Sequence, residues 1–406
     1  MSLQDTVSAE RLHIGFFGMR NAGKSSVVNA VTGQDLAVVS DVKGTTTDPV
    51  KKAMELLPLG PVVIIDTPGL DDEGTLGEKR MEKARRILAQ TDVAVLVVDA
   101  AVGLSDGDRE LLALLKERKL PHLVVFNKTD LTAARPLPDG ALAVSALTGE
   151  GIEALKIRLG GFAKTAPQKW LVRDLIDPGD RVVLVIPIDE SAPKGRLILP
   201  QQQVMREVLD AHAAVVACQD ADLKATLAGL REPPRLIVTD SQAFEKVAAD
   251  APPDVPLTSF SILFARYKGD LAALVKGAAA LSRLKDGDKV LISEGCTHHR
   301  QCRDIGTVKL PGWIESSTGA KPDFTFTAGG DFPADLSGFA LVVHCGGCML
   351  NEAEMRHRLA VADAAGVPMV NYGVAIAQMH GVLRRSLEPF PDLLPLLDKK
   401  SIIKRR

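Results

Sequence analysis

The eight residues Gly18-Met-Arg-Asn-Ala-Gly23-Lys24-Ser25 constrain this 406-residue chain more than any other segment. Their spacing, G-x-x-x-x-G-K-[ST], requires a strand before, a glycine-turned loop and a helix after. Residues 13–18 are apolar enough for the strand, and residues 24–31 carry helical spacing of apolar side chains. The glycines let backbone N–H groups curl around a phosphate, and the helix N-terminus adds a favourable dipole. In such a loop Gly18, Asn21, Ala22, Gly23, Lys24, Ser25 and Ser26 form the candidate cradle. Lys24 reaches the β- and γ-phosphates, and the Ser25 hydroxyl ligates Mg²⁺.

The same alternation continues to about residue 160. Strands are expected at 62–66, 93–99, 122–127 and 141–145, with helices at 78–90, 106–118 and 152–159. This is the pattern of a doubly wound, mostly parallel α/β sheet. Three domains are expected: 1–168, then a small α/β domain at 169–260, then a third α/β unit with a parallel sheet at 261–406. In the second, 181–187 and 235–239 read as strands, and 201–215 and 242–249 as helices. In the third, 289–294, 323–328, 340–344 and 368–372 read as strands, with helices at 270–283 and 351–365.

Charge and composition narrow the function classes. A formal net charge of −2 and 4% aromatic residues argue against nucleic-acid binding. No apolar run is long enough to span a bilayer, and the first residues lack a signal-peptide pattern. The expectation is a cytoplasmic protein with no membrane partner. In a reducing compartment five cysteines, at 218, 296, 302, 345 and 348, read as metal or catalytic residues rather than disulfides.

Three further motifs follow expected strands in the first domain. Asp66-Thr-Pro-Gly69 places Asp66 behind the Mg²⁺ and the Gly69 N–H towards the γ-phosphate. Asn127-Lys128-Thr129-Asp130 offers a carboxylate to guanine N1–H and N2–H₂, donors that adenine lacks, which selects GTP and GDP over the adenine nucleotides. Ser145-Ala146 presents an N–H to guanine O6. The set resembles the translation-factor-related GTPases that include the tRNA-modifying GTPase MnmE and Era. That resemblance implies Thr46, in Gly44-Thr-Thr-Thr47-Asp48, as a further Mg²⁺ ligand, and Asn21 as a K⁺ ligand beside the phosphates. It also implies Glu78 as a catalytic acid of the second switch, although Asp71, Asp72 and Glu73 are acidic neighbours. Leu70 stands where Ras-like proteins carry a water-orienting Gln, so intrinsic turnover should be slow.

In the third unit, Glu294-Gly-Cys296-Thr-His298-His299 and His344-Cys345-Gly-Gly-Cys348 both follow expected parallel strands, where doubly wound sheets place their ligands. Cys296, Cys345 and Cys348 with a histidine suit a closed zinc site; the same three cysteines suit a [4Fe–4S] cluster with a fourth position filled by histidine or exchangeable. Cys302 is an extra thiol, read as incidental or supporting, and Cys218 reads as core. The combination of N-terminal GTPase motifs with C-x-H and H-C-x-x-C resembles the HydF family, the [FeFe]-hydrogenase maturation GTPases. That resemblance implies a homodimer formed through the middle domain and a [4Fe–4S] cluster on Cys296, Cys345 and Cys348, with His298 or His344 near the fourth position. It further implies a diiron subcluster precursor as cargo, the radical-SAM maturases HydE and HydG as partners, and apo-hydrogenase as recipient. The first domain alone would instead suggest an MnmE-like tRNA-modifying GTPase, and the cysteines alone a GTPase with a structural zinc domain.

Overall fold

Strand β4 (Val93–Asp99, VAVLVVD) is apolar at every position but the last, which suits a parallel strand covered on both faces. The structure, a computed structural model, bears this out; it describes residues 10–34, 50–67, 84–132, 136–165, 169–188, 197–295 and 305–398. Val93, Val95 and Val97 face a core filled by Val27, Val28 and Val31 and by Leu155 and Leu159. Ala94, Leu96 and Val98 face a second core containing Leu111, Leu114 and Leu115. The alternation of one strand therefore places helices Lys24–Thr32 and Ile152–Thr165 on one side and Asp106–Glu117 on the other. Helix Asp106–Glu117 begins at a reciprocal cap, in which the Ser105 hydroxyl accepts from the Asp108 N–H and the Asp108 carboxylate accepts from the Ser105 N–H.

The sheet has six strands in the order β2-β3-β1-β4-β5-β6, from β1 (Leu12–Phe17), β2 (Val50–Leu56), β3 (Gly60–Asp66), β4, β5 (His122–Asn127) and β6 (Leu142–Ala143). Only the β2–β3 pairing is antiparallel. The sequence does not announce β2, because its run VKKAMEL places two lysines at the open edge rather than alternating cleanly. Charged edges of this kind deter pairing with another chain. The expected strand at 141–145 shortens to Leu142–Ala143. Of the expected helix at 78–90, only 84–90 is described, and 84–88 is helical.

Residues Met1–Gln168 and Lys169–Arg406 form two compact units. The second unit holds two four-stranded, all-parallel sheets above one continuous core. One runs β10-β9-β7-β8, from β7 (Arg181–Val185), β8 (Ala214–Cys218), β9 (Leu236–Thr239) and β10 (Leu257–Ser259). The other runs β12-β11-β13-β14, from β11 (Lys289–Glu294), β12 (Asp323–Ala328), β13 (Leu341–His344) and β14 (Met369–Asn371). The expected helix at 201–215 is corrected: helix Leu199–Asp210 ends, His212 turns at φ 59, and the β-branched pair Val215–Val216 joins β8 against Val182 and Val183. Cys218, at the end of β8, is partly buried rather than fully in the core. The expected helix at 270–283 ends at Ala278 and continues as a tight turn at Leu281–Arg283.

Gly277 lets helix Leu271–Ala278 lie directly on β14, since a Cβ there would sit 2.0 Å from the Met369 carbonyl oxygen. Because a backbone atom cannot swing aside, Gly277→Ala is expected to destabilise the second unit by about 1–3 kcal/mol in urea unfolding. Unchanged stability would mean the helix slides without cost.

Candidate functional site

The loop after β1 has the predicted strand–loop–helix form. Gly18 has φ 144, and a Cβ there would meet the Val97 carbonyl oxygen at 2.1 Å. Gly23 has φ 84, and its Cβ would lie 2.3 Å from Asn127 Nδ2. Both glycines are therefore required by close approach as well as by torsion. Asn21 is exposed at the loop's turn with φ 62, a left-handed conformation that asparagine tolerates better than most residues. Lys24 is buried, and its ammonium donates to the Gly18 and Met19 carbonyls at 2.8 and 3.0 Å. Those bonds hold the lysine over the loop that it would serve. Ser26 is exposed and Ala22 buried.

The Ser25 hydroxyl donates to Asp66 Oδ2 at 3.3 Å, and Asp66 Oδ1 is buried without a partner. Burial raises the Asp66 pKa, while Lys24 and the Ser25 bond pull it down. A buried, half-satisfied carboxylate next to a hydroxyl is a donor set that fits a hard divalent cation through oxygen or water. Below it, the Thr67 hydroxyl donates to the Phe16 carbonyl at 2.7 Å and ties β3 to β1.

Asn127 joins the base side of the pocket to the phosphate side. Its Nδ2 donates to the Ala22 carbonyl at 3.1 Å, and its Oδ1 accepts the Ala146 N–H at 3.0 Å. Asp130 is exposed, and one of its oxygens accepts the Ser145 hydroxyl at 2.6 Å, which orients the carboxylate for a base edge. Lys128 has φ 67 and pairs with Asp99 at 2.7 Å, linking the loops after β4 and β5.

At the other site, the chain leaves β11 for β12 on one side and returns to β13 on the other, so the order switches between β11 and β13. Cys345 follows β13 directly, and its N–H donates to the Ser293 carbonyl of β11 at 2.9 Å. The Cys345 sulfur accepts the N–H of Gly295 at 3.1 Å and that of Gly347 at 3.4 Å. Gly347 has φ 65, and a Cβ there would lie 2.6 Å from the Met355 sulfur. Lys268 is buried and donates to the carbonyls of Cys348 and Leu350, both at 2.9 Å, which pins the far end of the turn.

Cys345 keeps some exposed area yet is hemmed in by protein, and this burial pushes its thiol up to about 11 against the two N–H donors. Burial also raises Cys348, opposed by Lys268. Both sulfurs carry protons at neutral pH until a metal displaces them. Backbone N–H groups aimed at a sulfur are the expected surroundings of a metal-bound thiolate, so Cys345 and Cys348 fit one edge of an iron–sulfur cluster.

His344, expected among the ligands, has both ring nitrogens committed. Nδ1 bonds the Cys345 carbonyl at 2.7 Å, and Nε2 faces Arg358 Nη1 at 2.9 Å. The ring is fully buried; burial, and then Arg358, depress its pKa to about 3, so it is neutral. Ligation through either nitrogen would break one of these two bonds. Among the described residues no three Cys, His, Asp or Glu side chains converge as a complete metal site. Thr46, Gly69, Leu70, Glu78, Cys296, His298, His299 and Cys302 lie outside the described residues.

Sequence reasoning missed Arg358 and Lys268. Arg358 shares the buried stripe Glu354, Met355, Arg358 and Ala362 of helix Glu352–Ala364. An i,i+4 charge pair on an apolar stripe was the available signal, whereas Lys268 carried none.

Residues 171–269 match the family model described as the hydrogen maturase F dimerization domain, and 272–389 match its tetramerization domain. Residues 13–128 match a 50S ribosome-binding GTPase model. The chain is 38% identical over 160 residues to the tRNA modification GTPase MnmE of Dechloromonas aromatica, covering 37% of this chain and 35% of that one. It is 42% identical over 154 residues to the same enzyme of Xanthomonas oryzae pv. oryzae, covering 37% and 34%. The chain thus spans about a third of the length of the curated relatives it matches. No helix among the described residues is long and apolar enough to cross a membrane.

Gly23→Ala adds left-handed strain of about 1–2 kcal/mol and a collision with Asn127. It is expected to weaken GDP binding by roughly tenfold or more in calorimetric titration; affinity equal to that of the unaltered chain would remove the glycine from the cradle.

Proposed function

Because the chain belongs to the hydrogen maturase F family, we propose that it serves [FeFe]-hydrogenase maturation as a GTP-hydrolysing scaffold and carrier. The observation that carries this reading is a single chain with a guanine-nucleotide pocket and a cysteine turn at the switch point of a separate parallel sheet. In this reading 1–168 is the GTPase domain, 169–260 the dimerisation domain of a cytoplasmic homodimer, and 261–406 the cluster domain. Cys296, Cys345 and Cys348 hold a [4Fe–4S] cluster, with His298 left as the histidine candidate for its fourth position. The bound cluster would supply an iron able to accept an external ligand. The cargo is the diiron subcluster precursor made with the radical-SAM maturases HydE and HydG, and the recipient is apo-hydrogenase.

In the GTPase domain, Lys24 neutralises the β- and γ-phosphates, and the Gly69 N–H meets the γ-phosphate. Ser25 and Thr46 would hold Mg²⁺ with Asp66 behind them, and Mg²⁺ would supply charge neutralisation at the phosphates. Asp130 reads the guanine edge, and the Ala146 N–H is shared between Asn127 and O6. Leu70 cannot orient water by hydrogen bonding, so turnover is slow; Asn21 holds K⁺ beside the phosphates and Glu78 assists from the second switch. Such a domain suits a switch that alters partner contacts when GTP is hydrolysed.

The reading is tested by anaerobic purification of the full chain. A brown protein with absorbance at about 400 nm is expected for Fe–S ligation. A colourless zinc protein would replace the reading with a structural zinc domain. Cys345→Ala and Cys348→Ala should each lose most of the bound iron, measured by colorimetric assay. Replacing Na⁺ by K⁺ should speed GTP turnover by roughly an order of magnitude or more, and Asn21→Ala should abolish the difference. Asp130→Asn replaces one carboxylate oxygen by an NH₂ donor, so one of guanine N1–H and N2–H₂ loses its acceptor and the charge is gone, which should weaken GDP binding by roughly a hundredfold. A salt-sensitive gel shift with tRNA would favour the MnmE-like alternative instead.

A further inference from the structure

Arg358 is fully buried, yet it lies in the middle of a helix whose sequence reads as solvated. Its donors reach three strand ends at once. Nη1 faces His344 Nε2 at 2.9 Å and Ser293 Oγ at 3.4 Å, and Nη2 donates to the Gly329 carbonyl just past β12 at 2.5 Å. Nε pairs with Glu354 at 2.8 Å, and the Phe332 ring lies 5.0 Å from the guanidinium carbon. Arginine cannot give up its proton in a protein, so it is always the donor towards His344 Nε2. That leaves the imidazole hydrogen on Nδ1, where it donates to the Cys345 carbonyl. Ser293, the other side chain in reach, supplies the carbonyl that accepts the Cys345 N–H. Arg358 therefore contacts both residues that bond the Cys345 backbone, His344 at its ring and Ser293 at its hydroxyl.

We propose that Arg358 is the positioning residue of the cysteine turn: it fixes His344 in one tautomer as a strut, so that Cys345 is presented for cluster binding while His344 itself does not ligate. The inference rests on the cluster reading of Cys345 and goes beyond it by assigning the support of that turn to a buried cation. The strut explains why the turn tolerates two successive glycines, Gly346 and Gly347, without losing its geometry: both flanks are anchored, one through His344 and the other through Lys268.

The test uses the full chain loaded with iron and sulfide under argon. Arg358→Lys keeps the charge but loses the planar fork. The double variant Glu354→Leu/Arg358→Met removes both buried charges together, which avoids stranding a carboxylate. In each, iron should pass to a chelator at least about tenfold faster than from the unaltered chain, because a mispositioned ligand shell lowers metal affinity by about 10–100-fold. The EPR line shape of the reduced cluster should change as well, which general loss of stability would not produce. Iron retention and line shape equal to those of the unaltered chain in both variants would overturn the inference. If neither variant folds, His344→Asn carries the test, since its amide keeps a donor towards the Cys345 carbonyl while giving up the acceptor for Arg358. No directly bound nitrogen should disappear from the pulsed EPR spectrum in that variant; its disappearance would make His344 a ligand and overturn the inference. An unaltered chain that binds no iron would instead fail the cluster reading itself, and the inference with it.

Discussion

A largely parallel sheet flanked by helices leaves the ends of its strands for chemistry, and both candidate sites are built around such ends. The strands of the first unit are packed on either side by helices, so β1, β3, β4 and β5 deliver Gly18, Asp66, Asp99 and Asn127 to a single edge. The sheet of β11 to β14 repeats the arrangement, with Cys345 emerging where the strand order reverses. For the described residues of each site, parallel register already aligns the strand ends.

Much of this was legible in the sequence. The apolar runs at β4, β5, β11 and β13 and the spacing of Gly18 to Ser25 fixed strand positions and the phosphate loop, since period-2 burial and glycine torsions are local requirements. Strand β8 was lost to a helix reading because Val215 and Val216 follow a helix after a turn of few residues, and only pairing with β7 distinguishes them. Strand β2 depends on its partner β3 in the same way. At the cysteine turn the cysteines were visible, but the side chains that support them were not. A lysine or arginine in a helix reads as solvated unless the chain brings carbonyls to it from far away, as Cys348, Leu350 and Gly329 do.

Burying Arg358 takes a cation out of water, which stabilises nothing unless its donors are met. Here Glu354, His344, the Ser293 hydroxyl and the Gly329 carbonyl meet four of its five N–H donors, with a partner at each nitrogen, and an aromatic face covers the guanidinium. Such a set is more expensive to assemble than leucine packing, and it specifies orientation where leucine would not. Gly306 is packed as tightly nearby, since a Cβ there would lie 2.6 Å from the Glu294 carboxylate.

The amide of Asn127 touches the carbonyl of Ala22 with one end and the N–H of Ala146 with the other. The base-reading loops and the phosphate loop thus share a single rivet. A shift of either loop is therefore carried to the other through one amide side chain.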